Sequence, residues 1–210
     1  MDLMRTIGIN LALMLVLTGC RMPQGGTAPQ LDGEWSINVG TTLSSDDFEV
    51  IGGTWTVDNG AVRSLGEQNN HPLWLKRRIP DAFEISFEAR AQSAAVDHKI
   101  EFCGDGVRHE SGYIAILGGW SNTVSVIARQ DEHEKDRKEL KGKWKRDHWY
   151  KHRLRRTFDG RRGRIEWFVD GRLMMERVDN KPLRGPGHDR IAFNNWKTDV
   201  SFRNIVVRPL

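Results

Sequence analysis

Apolar and polar residues alternate with a period of two through most of the chain. Phe83, Ile85, Phe87 and Ala89 alternate with Glu84, Ser86, Glu88 and Arg90, the pattern of a strand with one buried and one polar face. Thr54-Trp55-Thr56-Val57 and Ala61-Val62-Arg63 flank Asp58-Asn59-Gly60. Asn-Gly is a strong hairpin signal because both turn positions need positive φ. The spacing predicts further strands over 73–79 (stopped by Pro80), 98–103, 112–117, 123–129 and 149–157. Ile165, Trp167 and Val169 lead into Asp170-Gly171 and residues 172–178, a second tight hairpin, and strands over 190–194 and 200–207 close the chain. About ten short strands joined by turns argue for an all-β antiparallel sandwich or barrel. No long amphipathic helix, internal repeat or low-complexity tract interrupts this pattern. The charge-dense stretch 130–148 reads as a long exposed loop or a short helix.

The amino terminus follows a different rule. A short charged start with Asp2 and Arg5 precedes an apolar run over 7–17, too short to span a bilayer but suited to a signal-peptide core. It ends in Leu17-Thr18-Gly19-Cys20, which resembles the bacterial lipobox and implies lipidation of Cys20. The alternative is an ordinary cleaved signal with an incidental cysteine. Arg21, a residue other than Asp after the cysteine, fits routing to the outer membrane of a Gram-negative cell envelope. The expected organisation is a signal peptide over 1–20, a flexible Pro- and Gly-containing tether over 21–32 and one domain over 33–210.

Several segments of that domain resemble concanavalin A-like jelly rolls. The run from Gly53 through Trp55 and Val57 to Gly60 and Val62 resembles their opening strand pair. The segments around Phe83-Glu84-Ile85, Trp149-Tyr150-Lys151, Ile165-Glu166-Trp167-Phe168-Val169-Asp170-Gly171 and Phe202-Arg203-Asn204-Ile205 are similar to later strands, in the same order. The nearest resemblance is to the 3-keto-disaccharide hydrolase-like and laminin G-like domains. It implies a β-sandwich over nearly the whole mature chain and speaks weakly for function, which lives in the site rather than the fold.

The chain has 210 residues, 32 Lys and Arg against 28 Asp and Glu, and a hydrophobic fraction of 38%. Eight Trp and eight Phe supply enough large apolar area for a core, so a folded chain is expected rather than a disordered one. Two cysteines make no disulfide framework. If Cys20 carries lipid, Cys103 has no partner and reads as a small buried hydrophobe. Lys141, Lys143, Lys145, Arg146, Lys151, Arg153, Arg155, Arg156, Arg161, Arg162 and Arg164, interleaved with Trp144, Trp149 and Tyr150, could bind an anionic polymer. Outside the cytoplasm that polymer is lipid or acidic polysaccharide rather than nucleic acid. The plainer reading is a solvated face balanced by the acids of 131–139.

No P-loop, dinucleotide fingerprint, G-x-S-x-G elbow or H-E-x-x-H occurs. His148 and His152 would lie about 13 Å apart on a strand, too far to share a metal. The paired carboxylates that laminarinase-like jelly rolls carry on one strand, E-x-D-x-E, are missing, which disfavours retaining glycosidase chemistry. The acids in Asp131-Glu132-His133-Glu134-Lys135-Asp136 lack alternation and read as a solvated loop.

What remains is a polar sheet face. With Ile100, Phe102, Ile114, Ile116, Val124 and Val126 taken as core, Glu101, Tyr113 and Arg129 share one open face, where a carboxylate, a phenol and a guanidinium suit sugar hydroxyls. Asp105, Glu110 and Asn122 lie in the connecting loops, and Trp120, Asn194, Asn195 and Trp196 would form the rim. Glu101 and His109 are the candidate acid–base pair if catalysis occurs. The leading expectation is a membrane-tethered carbohydrate-recognising domain. The alternatives are a glycoside-acting enzyme of the 3-keto-disaccharide hydrolase type and a non-catalytic protein-interaction lipoprotein. No cofactor is expected; the resemblance leaves a structural calcium ion in a rim loop open, and the sequence does not set an oligomeric state.

Overall fold

The computed structural model describes residues 28–66 and 70–210; the signal, lipidation and most of the tether expected for the amino terminus lie outside them. The described chain forms two antiparallel sheets packed face to face. The back sheet takes the order β13 (Arg172–Asp179), β12 (Arg162–Val169), β11 (Tyr150–Asp159), β6 (Phe83–Ala91), β15 (Val200–Pro209), β4 (Ala61–Ser64) and β3 (Trp55–Asp58), and β1 (Trp35–Ile37) adds to β15. The front sheet takes the order β10 (Lys138–Lys141), β9 (Val124–Arg129), β8 (Tyr113–Gly118), β7 (His98–Gly104), β14 (Arg190–Asn194), β5 (Leu73–Leu75) and β2 (Phe48–Val50).

Local chemistry sets the turns. Asn59 and Gly60 have φ of 49° and 73°, and Asp170 and Gly171 have 48° and 78°, so both expected hairpins close through positive-φ pairs that match strand twist. The strand expected over 73–79 is shorter, because pairing to β14 and β2 ends at Leu75. The stretch expected as loop or helix contains β10, paired to β9.

The core lies between the sheets. Phe83, Ile85, Phe87 and Ala89 point into it, as the alternation requires. Phe193 stacks on Phe202 with ring centroids 4.4 Å apart, and Phe87 meets Phe193 edge-on at 5.1 Å. Two histidines share this interior: His98 Nδ1 lies 3.3 Å from His152 Nε2, and the Trp167 indole donates to His152. Burial pushes His152 down to about 3 and His98 well below its ordinary range, so both are neutral.

The cationic stretch of the sequence divides at this sheet. Arg156 points inward, donating to the Cys103 thiol and to the Asp81 carbonyl, and burial pushes that thiol up to about 12. Lys151, Arg153 and Arg155 face outward. The partners of this face are Glu84, Glu166, Glu176 and Glu88 within the sheet, not the acids of 131–139. Trp149 lies between Arg90 and Arg203, and Trp144 packs against the core.

Candidate functional site

The front sheet differs from the back sheet in that β7, β8 and β14 are buried at every position. One face meets the core; the other is covered by loops. Cross-strand partners share a face, and Phe102 pairs with Tyr113, Ile100 with Ala115, and Glu101 with Ile114. Because Ile100 and Phe102 point inward, Tyr113 and Ala115 do too, and Glu101 looks outward with Lys99, Ile114 and Ile116. The expected shared face of Glu101, Tyr113 and Arg129 is therefore corrected. The Tyr113 hydroxyl donates to Asp179 at 2.7 Å, and the Arg129 Nε–Asp179 ion pair is 3.2 Å long, on the opposite side of the sheet from Glu101. Burial and the bond to Asp179 raise the Tyr113 phenol above its ordinary value. The phase of β8 is unreadable from sequence because Tyr-Ile-Ala-Ile-Leu is apolar throughout.

On the outward face lies a cavity of about 540 Å³, within the range of small-ligand sites. Ile116 forms part of its floor, and Asn70, Asp97, His109, Glu110, Glu132 and His133 supply polar walls. Trp120 and Trp196 line it as well, with Trp196 46% exposed. Trp120 is held by a left-handed turn: Trp120, Ser121 and Asn122 have φ of 49°, 57° and 61°. Three such residues cost roughly 1–2 kcal/mol each. The turn is tied down by Asn122, which grips both backbone groups of Trp144, and by the Thr123 hydroxyl donating to the Trp120 carbonyl at 2.7 Å.

Beneath the cavity the polar groups interlock. Lys99, 1% exposed, donates to Asn70 at 2.7 Å and to Glu132 at 2.8 Å. Glu101, fully buried, meets His109 Nδ1 at 2.7 Å and accepts the Glu110 N–H at 3.0 Å and the Asn194 amide. In the neutral tautomer that donates from Nδ1 to Glu101, His109 Nε2 is an acceptor. The Glu132 N–H in turn donates to Glu110 at 2.8 Å. Asp97 accepts the Trp196 N–H at 3.1 Å, and burial pushes its carboxyl up to about 6, against the pull of Lys99.

No family model and no curated protein matches the chain, but solved structures do. The carbohydrate-binding module CBM66 from Bacillus subtilis is similar at 14% identity, covering 77% of this chain and 95% of that one, with a TM-score of 0.58. A Crh5 transglycosylase in complex with NAG is similar at 12% identity, covering 87% and 86%, with a TM-score of 0.63. The exoplasmic domain of VIP36, in a Ca2+/Man3GlcNAc-bound form, is similar at 10% identity, covering 83% and 88%, with a TM-score of 0.57. The fold is a concanavalin A-like jelly roll.

Within this jelly roll the expected site residues separate into three groups. His109, Trp120 and Trp196 line the cavity. Glu101, Asn122, Asn194 and Asn195 do not line it; they position what does. Glu101 holds His109, Asn194 holds Glu101 and the Asn195 N–H, Asn195 bonds the Thr198 carbonyl, and Asn122 anchors the Trp120 turn. Tyr113 and Arg129 belong to the interior and the far edge. Asp105, also expected in a connecting loop, receives the backbone N–H groups of Val107 and Arg108 and so shapes the turn before His109. Lys99, Asp97, Glu132 and His133 were not foreseen as site residues. The signal for Glu132 was Lys99 itself: a lysine on an apolar strand needs a buried carboxylate, and the acid-rich loop was the available source.

Proposed function

We propose that this protein recognises carbohydrate in the front-sheet cavity, from a position tethered to the cell envelope. The observation that carries the reading is the cavity: two tryptophans offer flat apolar surface for a sugar ring, beside carboxylates, an amide and a histidine for its hydroxyls. The names of the similar structures, a carbohydrate-binding module, a NAG-bound transglycosylase and a Man3GlcNAc-bound domain, support the same ligand class. The Leu17-Thr18-Gly19-Cys20 motif supports a lipid anchor on Cys20, and metabolic labelling with a clickable palmitate that is lost in Cys20→Ala tests it.

A second reading, a glycoside-acting enzyme, is favoured by one feature. His109 faces the cavity with its other nitrogen held by a buried carboxylate, the arrangement of an oriented general base. Both readings are tested by thermal unfolding of the full chain in detergent against mono-, di- and acidic oligosaccharides, since a ligand of the native state raises the midpoint. A shift that disappears in Trp196→Ala supports carbohydrate recognition. Product formation lost in His109→Ala then assigns an enzyme, and binding without product assigns a lectin. No shift with any saccharide overturns both and leaves a protein-interaction role.

A further inference from the structure

The cavity floor gathers negative charge beyond what its protein partners neutralise. Asp97, Glu110 and Glu132 line it and Glu101 lies beneath, and among the described residues Lys99 is the one lysine or arginine bonded to any of their carboxylates, Arg137 reaching only the Glu132 backbone carbonyl. Burying carboxylates without a counter-charge is costly, so the arrangement points to a cation.

The geometry supplies a ligand set. One donor atom each from His109, Glu110 and Glu132 lie within 4.8 Å of one another, with His109 Nε2 3.9 Å from Glu110 Oε1. Ligands about 2.0–2.2 Å from an ion sit roughly 3–3.5 Å apart, so the trio closes with a small side-chain adjustment. Two independent observations accompany it. Glu101 holds His109 through Nδ1 and leaves Nε2 bare, the carboxylate–histidine pairing that orients metal-bound imidazoles. Asp97, 6% exposed, lines the same cavity with one oxygen bonded to the Trp196 N–H and, among the described residues, no hydrogen bond to the other.

We propose that His109, Glu110 and Glu132 bind a divalent first-row transition ion, Mn2+ or Zn2+, with open coordination positions facing the cavity. One imidazole nitrogen with carboxylate oxygens suits these ions better than Ca2+, which takes oxygen ligands. Resting on the carbohydrate reading, paired sugar oxygens complete the ion's shell, so the metal fixes which hydroxyls the site reads.

The test uses the full chain, stripped with EDTA and freed of any affinity tag, titrated with Mn2+, Zn2+ and Ca2+ by calorimetry, with the Mn2+ resonance signal as a second readout. One ion per chain is expected, bound at least tenfold more weakly by Glu132→Gln and by Glu110→Gln. Glu176→Gln, on the back sheet, serves as a control and binds as the unaltered chain does. Circular dichroism confirms that the variants fold, and Glu110→Gln, part-exposed at the loop, stands in if Glu132→Gln does not. Absence of binding, equal binding by the glutamine variants, or a preference for Ca2+ overturns the proposal. A saccharide shift that persists undiminished in EDTA overturns the metal's part in recognition and leaves the carbohydrate reading intact. Metal binding without any saccharide shift leaves the metal site standing and removes the sugar reading.

Discussion

The outward faces of the two sheets solve opposite problems with the same kinds of residue. On the back sheet, arginines and glutamates alternate with core residues and pair across strands in water, as in Arg164–Glu176 at 2.7 Å and Arg203–Glu88 at 2.9 Å. On the front sheet, loops from 105–112, 118–123, 130–137 and 195–199 fold over the face, and Lys99–Glu132 at 2.8 Å is largely out of water. Distances alone do not separate these pairs. Exposure does, because water screens the first set and not the second. The covered face is also where a cavity forms, so the sheet that departs from simple alternation holds the candidate site.

The largest expected effect comes from the interior both sheets share. Phe193→Ala should cost about 4 kcal/mol by urea unfolding, because the ring packs on Phe87 and Phe202. Arg153→Ala on the outer back face should cost less than about 1 kcal/mol, and similar losses for both would remove the distinction between core and surface.

Next comes the pair comparison. Glu132→Ala leaves Lys99 buried without its carboxylate and should cost about 3 kcal/mol, whereas Glu176→Ala should cost under about 1 kcal/mol. Equal costs would mean that the loop cover does not exclude water.

The fold was legible wherever one face is polar. β6 reads directly from Phe83 to Ala89, and the Asn59-Gly60 and Asp170-Gly171 turns read from their need for positive φ. Phase was illegible in β8, where inward Ala115 is smaller than outward Ile114 and Ile116, so the bulkier residues pointed the wrong way. The cavity lining was legible in part, through Trp120, Trp196 and His109. Glu132 escaped because a charged loop carries no periodicity, and its burial depends on Lys99, distant in sequence. Asn122 and Asn194 were recognised as special but act by holding other residues.

A pH dependence follows from the interior histidines. His98 and His152 are neutral in the fold and would gain protons on unfolding near pH 6.5. The unfolded state therefore binds more protons below that pH, and stability falls as pH drops below about 6.5, for His152 as far as about 3, by up to roughly 1.4 kcal/mol per unit for each group. Asp97, pushed up to about 6, acts in the opposite sense: its folded state holds a proton between about 6 and its unfolded value, so it favours folding as pH falls through that window. Asp97→Asn should therefore steepen the acid loss between pH 6 and 4 in EDTA-treated protein, and an unchanged slope would contradict the assignment.

The smallest expected effect on stability is at the rim. Trp196→Ala should change unfolding by less than about 0.5 kcal/mol, since the ring is 46% exposed, yet weaken saccharide binding at least tenfold. A large stability loss with unchanged binding would make the ring a cap on the core.

The most direct test of the central claim is backbone hydrogen exchange of the full chain with and without the saccharide that raises its unfolding midpoint most. Protection confined to 105–112, 118–123, 130–137 and 195–199 is the expected result. Protection on β11, β12 and β13 instead, or none at any segment, would contradict the placement of recognition on the front sheet.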